Sequence, residues 1–591
     1  MTKICGVVSD KREAQAGRHL EAVYQASWHD GYRGRETWSD ELAGLGHFTV
    51  GSVNLEPQPL HDSAGQDVAV YCGKIVAQEP LQSELAARGV TCEARAGEAG
   101  LLLKLLRHCP IETLARVNGN FSFAAWNGRD KALHVVSDRY GFRPIFYYHN
   151  PRTRTLVFSS DLRGVIQSGL VEPKDVNWDA AATFMHFGHH LGNQTFLQNV
   201  LAMPAASVLR FQDNTVRIDP YWGLDRIHID ERMSYDDALD GTIELFAQSI
   251  RRRAAALSGR TIVLLSGGKD SRHIAAEMKR QGAEFTTYTT AGFKPTNPDM
   301  PLAERVARVL DIENTQPDIF RGDFIRRSWR QSNYLIDYEA NLHQWMLPLV
   351  ESLPPEVRFN FDGLAGDITL FLSFTDERRL AMARAGDTQG LAEAVVGPVD
   401  RFPCLRGELR QRLQAVDVVG NARREMDRFG GSPYLFTHFI LANRTRRAIS
   451  ALSSKLISLR AESFCPFVDN DLLDFTLSIP PEMKVDHKFH RNVLDRAFPQ
   501  LKDIPVTKEI DAKAYPRQDG LYYRQRRHRF LDSLRGHYLR QNWLFRNRYA
   551  LPRVLKDGWK VLTRQDGPLF IANPAYTTFF EFLGRYFPDG L

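Results

Sequence analysis

Over the first 220 residues the apolar positions come in short alternating or continuous runs broken by turn residues. These runs are Ile4–Val8, Gly46–Val50, Val68–Tyr71, Phe121–Trp126, Leu133–Ser137, Ile145–Tyr148, Thr155–Phe158 and Ala206–Phe211. Runs of this length and period predict strands. Between Glu93 and His108 the spacing changes, with Leu101, Leu102, Leu105 and Leu106 at helical intervals, so sheets covered by helices, an α+β arrangement, are expected. After Tyr221-Trp222 the pattern changes again. A helix is predicted from Ser234 to Leu257, with Ala238, Ile243, Phe246 and Ile250 as its buried stripe. Thr261–Leu265 is a continuous apolar run of the kind buried in a parallel sheet, and a helix is predicted from Arg272 to Gln281, closed by Gly282. Phe285–Thr290, Leu302–Leu310 and Arg358–Phe361 follow as strand, helix and strand, the alternation of a doubly wound α/β sheet. The remainder to Leu591 reads as mostly helical, with no internal repeat and no low-complexity segment.

Composition narrows the classes without naming a ligand. Of 591 residues 43% are hydrophobic and 25% charged, values of a folded chain rather than a disordered one. A net charge of +6 is too dilute over this length to require nucleic acid or an anionic membrane. The six cysteines, at 5, 72, 92, 109, 404 and 465, form no C-x-x-C pair and have no histidine at metal-ligand spacing, so neither a zinc site nor a disulfide framework is expected. With no leader pattern and no apolar stretch of about 18 residues, the expectation is a cytoplasmic protein without a membrane partner.

The most informative stretch is Leu264-Leu265-Ser266-Gly267-Gly268-Lys269-Asp270-Ser271, between the Thr261 run and the helix after it. Glycines let the backbone approach phosphate oxygens, the hydroxyls of Ser266 and Ser271 can donate to them, and the helix start presents N–H groups. A carboxylate such as Asp270 beside phosphate calls for a bridging divalent cation, so the stretch predicts Mg²⁺ together with a nucleotide. It is not a Walker A loop, because G-x-x-x-x-G-K-[ST] is absent. The plainer alternative is an ordinary glycine turn between strand and helix.

Ser-Gly-Gly-x-Asp-Ser after an apolar strand resembles the pyrophosphate loop of the N-type ATP pyrophosphatases, and the surrounding chain is similar to the asparagine synthetase family. Val117-Asn118-Gly119-Asn120-Phe121-Ser122-Phe123-Ala124 and Asp138-Arg139-Tyr140-Gly141-Phe142-Arg143-Pro144-Ile145-Phe146-Tyr147 are similar to two blocks of that family's N-terminal domain. Met203-Pro204-Ala205 with Tyr221-Trp222 resembles its junction, and the resemblance runs from about Cys5 to Lys508. It implies a glutamine amidotransferase-like α+β sandwich of the N-terminal nucleophile hydrolase kind over 1–222. An α/β doubly wound ATP pyrophosphatase domain over 234–510 and a helical, basic and aromatic C-terminal extension over 511–591 would follow. The implied chemistry is cleavage of ATP between its α and β phosphates, an acyl-adenylate on a carboxylate, and displacement of AMP by an amine. Residue by residue, the resemblance implies ATP contacts at Leu265, Ser266, Gly267, Gly268, Asp270, Ser271 and Gly363. It implies Mg²⁺ on Asp270 and on Asp367, the end of Asp362-Gly363-Leu364-Ala365-Gly366-Asp367. Lys508 would be the catalytic cation that neutralises charge developing around the adenylate. Cys465-Pro466-Phe467-Val468-Asp469 resembles a helix-start block and is expected to be structural.

Two departures from the family pattern bear on substrate. A glutaminase of this kind needs Cys as its first residue, because the free α-amino group is its general base. Cys5 holds the nucleophile position but follows Met1-Thr2-Lys3-Ile4. Of the family's Arg-Gly-Pro-Asp stretch only Arg33-Gly34 is similar here, and Tyr71-Cys72-Gly73-Lys74-Ile75 stands where Asn-Gly-Glu would be expected. A scaffold without glutaminase activity is expected, unless cleavage after Ile4 exposes Cys5. Leu364 stands where asparagine synthetases have Glu and β-lactam synthetases Tyr, and an aliphatic chain neither orients nor deprotonates an amine. With no ammonia source, ring closure of a peptide or amino acid is favoured, as in β-lactam synthetases and lasso-peptide macrolactam cyclases, because a tethered amine has a high effective concentration. A glutamine-hydrolysing asparagine synthetase and an inactive scaffold are the alternatives. Expected partners are a small-molecule or peptide carboxylate and amine, a precursor peptide or a second copy of the chain; nucleic acid is not expected. Beyond Lys508, Tyr522, Tyr523, Trp543, Phe545 and Tyr549 interleave with Arg524, Arg526, Arg527, Arg529, Arg535, Arg540, Arg546 and Arg548. That run fits an acidic peptide or RNA, an amphipathic helix pair with solvated arginines, or a cover for the acceptor pocket.

Overall fold

A computed structural model describes the chain apart from residues 1, 12–14, 30–31, 33, 52, 55, 63–64, 93–95, 173–174, 256, 291–296, 318–323, 343–345, 398–404, 512–518, 542–544, 546, 566–568, 570–572 and 589–591. The side chains of 324–328, 508, 519–521 and 547–549 also lie outside the description.

The N-terminal half is built on twelve strands. These are β1 (Lys3–Ser9), β2 (Gly34–Ser39), β3 (Ala43–Thr49), β4 (Leu60–His61), β5 (Asp67–Val76) and β6 (Asn118–Asn127). The others are β7 (Ala132–Ser137), β8 (Phe146–Asn150), β9 (Thr155–Ser159), β10 (Leu201–Ala202), β11 (Ser207–Gln212) and β12 (Thr215–Pro220). They form two six-stranded sheets in the orders β10-β8-β9-β1-β3-β2 and β12-β11-β7-β6-β5-β4. Strand alternation turns Ile4, Leu45 and Phe158 of the first sheet toward Val70, Trp126 and Leu133 of the second, closing an apolar layer between them. The outer faces are covered by the helices Ala16–Ser27, through Leu20, Val23 and Tyr24, and Gly97–His108, through Leu101, Leu102 and Leu105. All eight predicted strands are present. The four unpredicted strands, β2, β4, β10 and β12, are the edges of the two sheets: β2 and β12 have partly or fully exposed side chains and lack the apolar run that marks a buried strand, and β4 and β10 are only two residues each.

In the second half β13 (Arg260–Leu264), β14 (Thr286–Tyr288), β15 (Asn314–Thr315), β16 (Val357–Phe361) and β17 (Glu462–Phe464) make a parallel sheet ordered β15-β14-β13-β16-β17. Chain order runs outward in both directions from β13, so the switch point of this α/β sheet lies between β13 and β16, where ligands of such sheets bind. The predicted stripe of the helix Tyr235–Ala254 buries Ala238, Phe246 and Ile250 against β13 and β16, with Ile243 only partly buried. Two helices start earlier than predicted, and the one predicted from Leu302 begins at Asp299. The helix after the glycine pair begins at Lys269, not Arg272, because Gly268 takes the extended N-cap position and Asp270 then sits in the first turn, where the helix dipole favours a carboxylate.

The C-terminal residues form the helices Asp519–Ser533, Asn547–Leu562 and Pro574–Tyr586. The arginine run divides there. Arg524, Arg527, Arg535 and Arg540 are exposed, whereas Arg526 is buried and Arg529 stacks 4.0 Å over the Trp329 ring, so solvated arginines describe only part of it. Trp543 and Arg546 lie outside the described residues, as do the side chains of Arg548 and Tyr549. No helix among the described residues is long and apolar enough to cross a membrane.

The two blocks quoted from the N-terminal half face the second half. Arg139 Nη2 donates to both oxygens of Asp474 at 2.8 and 2.7 Å, Arg143 pairs with the buried Glu462 of β17, and the Asn470 N–H donates to Asn118 Oδ1 at 3.1 Å. Asp138 orders that loop by accepting the N–H groups of Tyr140, Phe142 and Arg143. These residue types are therefore accounted for by docking.

Candidate functional site

The loop after β13 is held by its own side chains. The Ser266 N–H donates to Ser271 Oγ at 3.0 Å, the two hydroxyl oxygens lie 3.1 Å apart, and the Gly268 N–H donates to Ser266 Oγ at 3.1 Å. One hydroxyl proton is spent inside the serine pair, which leaves the other for an incoming oxygen. No side chain caps the helix Lys269–Arg280, and the positive end of a helix dipole at such a start favours an anion. Leu265 packs its side chain into the core, its N–H donates to the Tyr288 carbonyl at 3.0 Å, and its carbonyl accepts the Thr289 hydroxyl at 2.8 Å.

Gly267 is enclosed. Its N–H donates to Asp299 Oδ1 at 3.0 Å, and the same oxygen accepts Thr507 Oγ1–H at 2.6 Å. The Thr507 N–H donates to the Gly267 carbonyl at 3.1 Å. A methyl on Gly267 would collide with Thr507 Oγ1 and stand 2.8 Å from Leu302 Cδ1. Gly267→Ala should therefore push the Thr507 turn away and lower the rate of any reaction at this loop by tenfold or more, about 1.4 kcal/mol, with a smaller change in the unfolding midpoint. Steady-state kinetics beside thermal melting check it.

Sequence reasoning missed the residues that pin the 504–507 segment here. Arg272 is buried, and Nη1 donates to the Ile504 carbonyl at 2.7 Å while Nη2 donates to that of Pro505 at 3.0 Å. Burial, with Arg491 nearby, lowers its guanidinium to about 10. Arg272 thus ties the turn Thr507–Glu509, which carries Lys508, to the loop after β13. The side chain of Lys508 lies outside the described residues.

Across the switch point the loop after β16 approaches Asp270. A methyl on Gly363 would lie 2.8 Å from Asp270 Cβ, and one on Gly366 would lie 2.7 Å from Asp270 Oδ1. Only glycine permits this approach. Asp362 shapes the loop by accepting the Leu364 N–H at 2.9 Å and the Ser453 hydroxyl at 2.5 Å, and Leu364 is buried in the apolar core. Asp367 opens the short helix Gly366–Thr369, and its charge supports that of the half-buried Arg444, which burial alone would lower. Behind Asp270 lies the fully buried His490, Nδ1 3.4 Å from Asp270 Oδ1. Burial, then His273 and Lys269, hold its imidazole well below its ordinary value, so it faces the carboxylate as a neutral ring. Among the described residues no three His, Cys, Asp or Glu side chains converge as a metal site. Carboxylates such as those of Asp270 and Asp367 are the hard oxygen donors that would suit Mg²⁺.

The structure therefore gathers Ser266, Gly267, Gly268, Asp270, Ser271 and Gly363 at one crevice, with the Asp367 helix following from the same loop. Cys5 is elsewhere, in the middle of the first sheet, its thiol fully buried and raised well above its usual value by burial and by the Asp161 charge. Ahead of it the Thr2 hydroxyl donates to Asn54 Oδ1 at 3.0 Å, and Asn54 exchanges both of its amide bonds with Gly73 at 3.1 Å.

Residues 1–222 match the family model of the glutamine amidotransferase domain, and residues 242–343 that of asparagine synthase. The chain is 24% identical over 309 residues to asparagine synthetase [glutamine-hydrolyzing] 3 of Bacillus subtilis, covering 49% of each chain. It is 26% identical over 273 residues to asparagine synthetase [glutamine-hydrolyzing] 2 of the same organism, covering 44% of this chain and 35% of the relative. The matched region thus spans half or less of the length of these curated relatives. Among solved structures, glutamine phosphoribosylpyrophosphate amidotransferase of B. subtilis is similar at a TM-score of 0.28 and 12% identity, over 48% of this chain and 65% of that one, too slight a likeness to bear on the fold.

Proposed function

We propose, from the premise that the chain belongs to the asparagine synthetase family, that it is an ATP-dependent ligase which activates a carboxylate as its adenylate and joins it to an amine. The observation that carries this is the contact of Gly363 and Gly366 with Asp270, which sets two loops of the switch point around one carboxylate. A carboxylate oxygen attacks the α-phosphorus and pyrophosphate leaves; the amine then attacks the acyl carbon, AMP leaves, and the amine gives up a proton. The start of the helix Lys269–Arg280 and the hydroxyl proton that the serine pair leaves over would hold phosphate oxygens. Asp270 and Asp367 would hold Mg²⁺, which neutralises phosphate charge when bound. Lys508, on the turn tied down by Arg272, is the cation we assign to the adenylate. Leu364 is buried and takes no proton, so the base comes from another group or from the substrate.

The amine we assign is one carried by a peptide or amino-acid substrate, not ammonia released from glutamine. Cys5 supports this: it is preceded by ordered strand, its thiol is sealed, and a fully buried thiol is neither nucleophilic nor reachable. Incubated with glutamine, the protein should form no glutamate, and iodoacetamide on the native protein should label the partly exposed Cys92 and Cys109 while sparing Cys5, Cys72 and Cys465. Peptide mapping that found Cys5 modified first would return the glutaminase. The ligase itself is tested by pyrophosphate release from MgATP across candidate acids. Release only with a particular peptide supports ring closure, release with aspartate and an ammonia source supports asparagine formation, and no release with any acid removes the enzyme.

A further inference from the structure

Between the helix Phe324–Leu335 and the C-terminal helices lies a cavity of about 420 Å³, the size of a metabolite site. The loops after β13 and β16 contribute none of its described walls. Three arginines line it, Arg330, Arg540 and Arg585. The acidic group among the described lining residues, Glu581, is only 10% exposed and is already engaged. Its Oε2 accepts Asn333 Nδ2–H at 2.6 Å, while Arg330 Nε and His537 Nε2 stand 3.9 and 3.8 Å from Oε1. Burial pushes the Glu581 carboxyl up to about 7, so near neutral pH it carries only part of a negative charge. Burial also lowers His537 to about 4, so that ring adds no positive charge. Among the described lining residues three arginines stand against one carboxylate, and Tyr338 and Phe587 add apolar surface. A planar guanidinium fork matches a carboxylate in two parallel hydrogen bonds, and an apolar wall matches a hydrocarbon portion, which inorganic phosphate lacks.

We propose that this cavity binds an organic carboxylate, a small acid with an apolar portion, at a site separate from the nucleotide loop. Isothermal calorimetry on the full chain with phenylsuccinate, succinate and inorganic phosphate tests it. Phenylsuccinate should bind with a dissociation constant below about 1 mM. Arg540→Gln and Arg585→Gln should each weaken it tenfold or more, and Asp270→Asn should leave it unchanged. Arg585 also stacks 3.8 Å over Tyr334 and its removal can disturb packing, whereas Arg540 is exposed at the rim and gives the cleaner variant. No heat up to about 10 mM, unchanged affinity in the Arg540 variant, tighter binding of phosphate than of phenylsuccinate, or loss of binding in Asp270→Asn would each overturn the assignment.

Discussion

Asp270→Asn should reduce pyrophosphate release from MgATP by about a hundredfold or more, at least about 2.7 kcal/mol of transition-state stabilisation, while leaving the unfolding midpoint nearly unchanged. The substitution keeps the side chain's volume where Gly363 and Gly366 leave none to spare, and replaces a charged oxygen by an amide. The neutral His490 behind it loses no ion pair by the change. What is lost is the negative charge at the crevice, and with it the hold on the cation that balances the triphosphate. The comparison that decides is single-turnover pyrophosphate release at raised Mg²⁺. Partial recovery with metal is expected, because a weakened metal site is refilled by mass action. Turnover equal to wild type at ordinary Mg²⁺ would remove Asp270 from the metal assignment.

The sequence showed the strand, glycine loop and helix because those are local: an apolar run, residues that tolerate close approach, and a helix period all lie within twenty residues. The second loop was legible only by family resemblance. Asp362-Gly363-Leu364-Ala365-Gly366-Asp367 has no property of its own that says it will meet Asp270; that meeting follows from β13 and β16 being neighbours in the sheet. The tethers were invisible for the same reason. Arg272 reads as one more basic residue on an amphipathic helix, yet it reaches carbonyls more than 230 positions away, and Asp299 looks like an ordinary helix-start acid until Gly267 and Thr507 both donate to it. β17 escaped notice because three residues, Glu462–Phe464, give no period to detect, and its Glu462 is a buried acid explained only by Arg143 from the other half. Local chemistry could be read from the chain, while residues whose function is to fasten distant segments could not.

A fastening of that kind gives the largest expected effect on stability. Asp161→Asn should destabilise the protein by about 3–5 kcal/mol, read as a fall in the urea midpoint. Asp161 is fully buried where the two halves meet and accepts from Lys3 Nζ at 2.8 Å, Lys455 Nζ at 2.9 Å and Arg163 Nη2 at 3.1 Å. Asp337, the second carboxylate, takes Arg163 Nη1 at 3.0 Å and Lys455 Nζ at 2.7 Å. Without Asp161, three buried cations would share a single anion. Adding Lys455→Met removes one surplus cation and should restore part of the loss, a coupling that a double-mutant cycle measures directly. Burial alone would raise the Asp161 carboxyl, but Arg163, Lys3 and Lys455 reverse this and hold it well below the usual range. A carboxylate depressed in the folded state contributes stability that is full above its unfolded value, about 3.9, and is lost as pH falls through the folded value. The wild type should therefore lose stability more steeply than Asp161→Asn on acidification below about pH 4. A single variant within about 0.5 kcal/mol of wild type at neutral pH would mean that water or rearranged partners already carry the charge. The two halves would then be held by their apolar surfaces and by other polar links, among them the Arg139–Asp474 and Arg143–Glu462 pairs and the bonds from Arg447 to the Gly192 and Gln194 carbonyls.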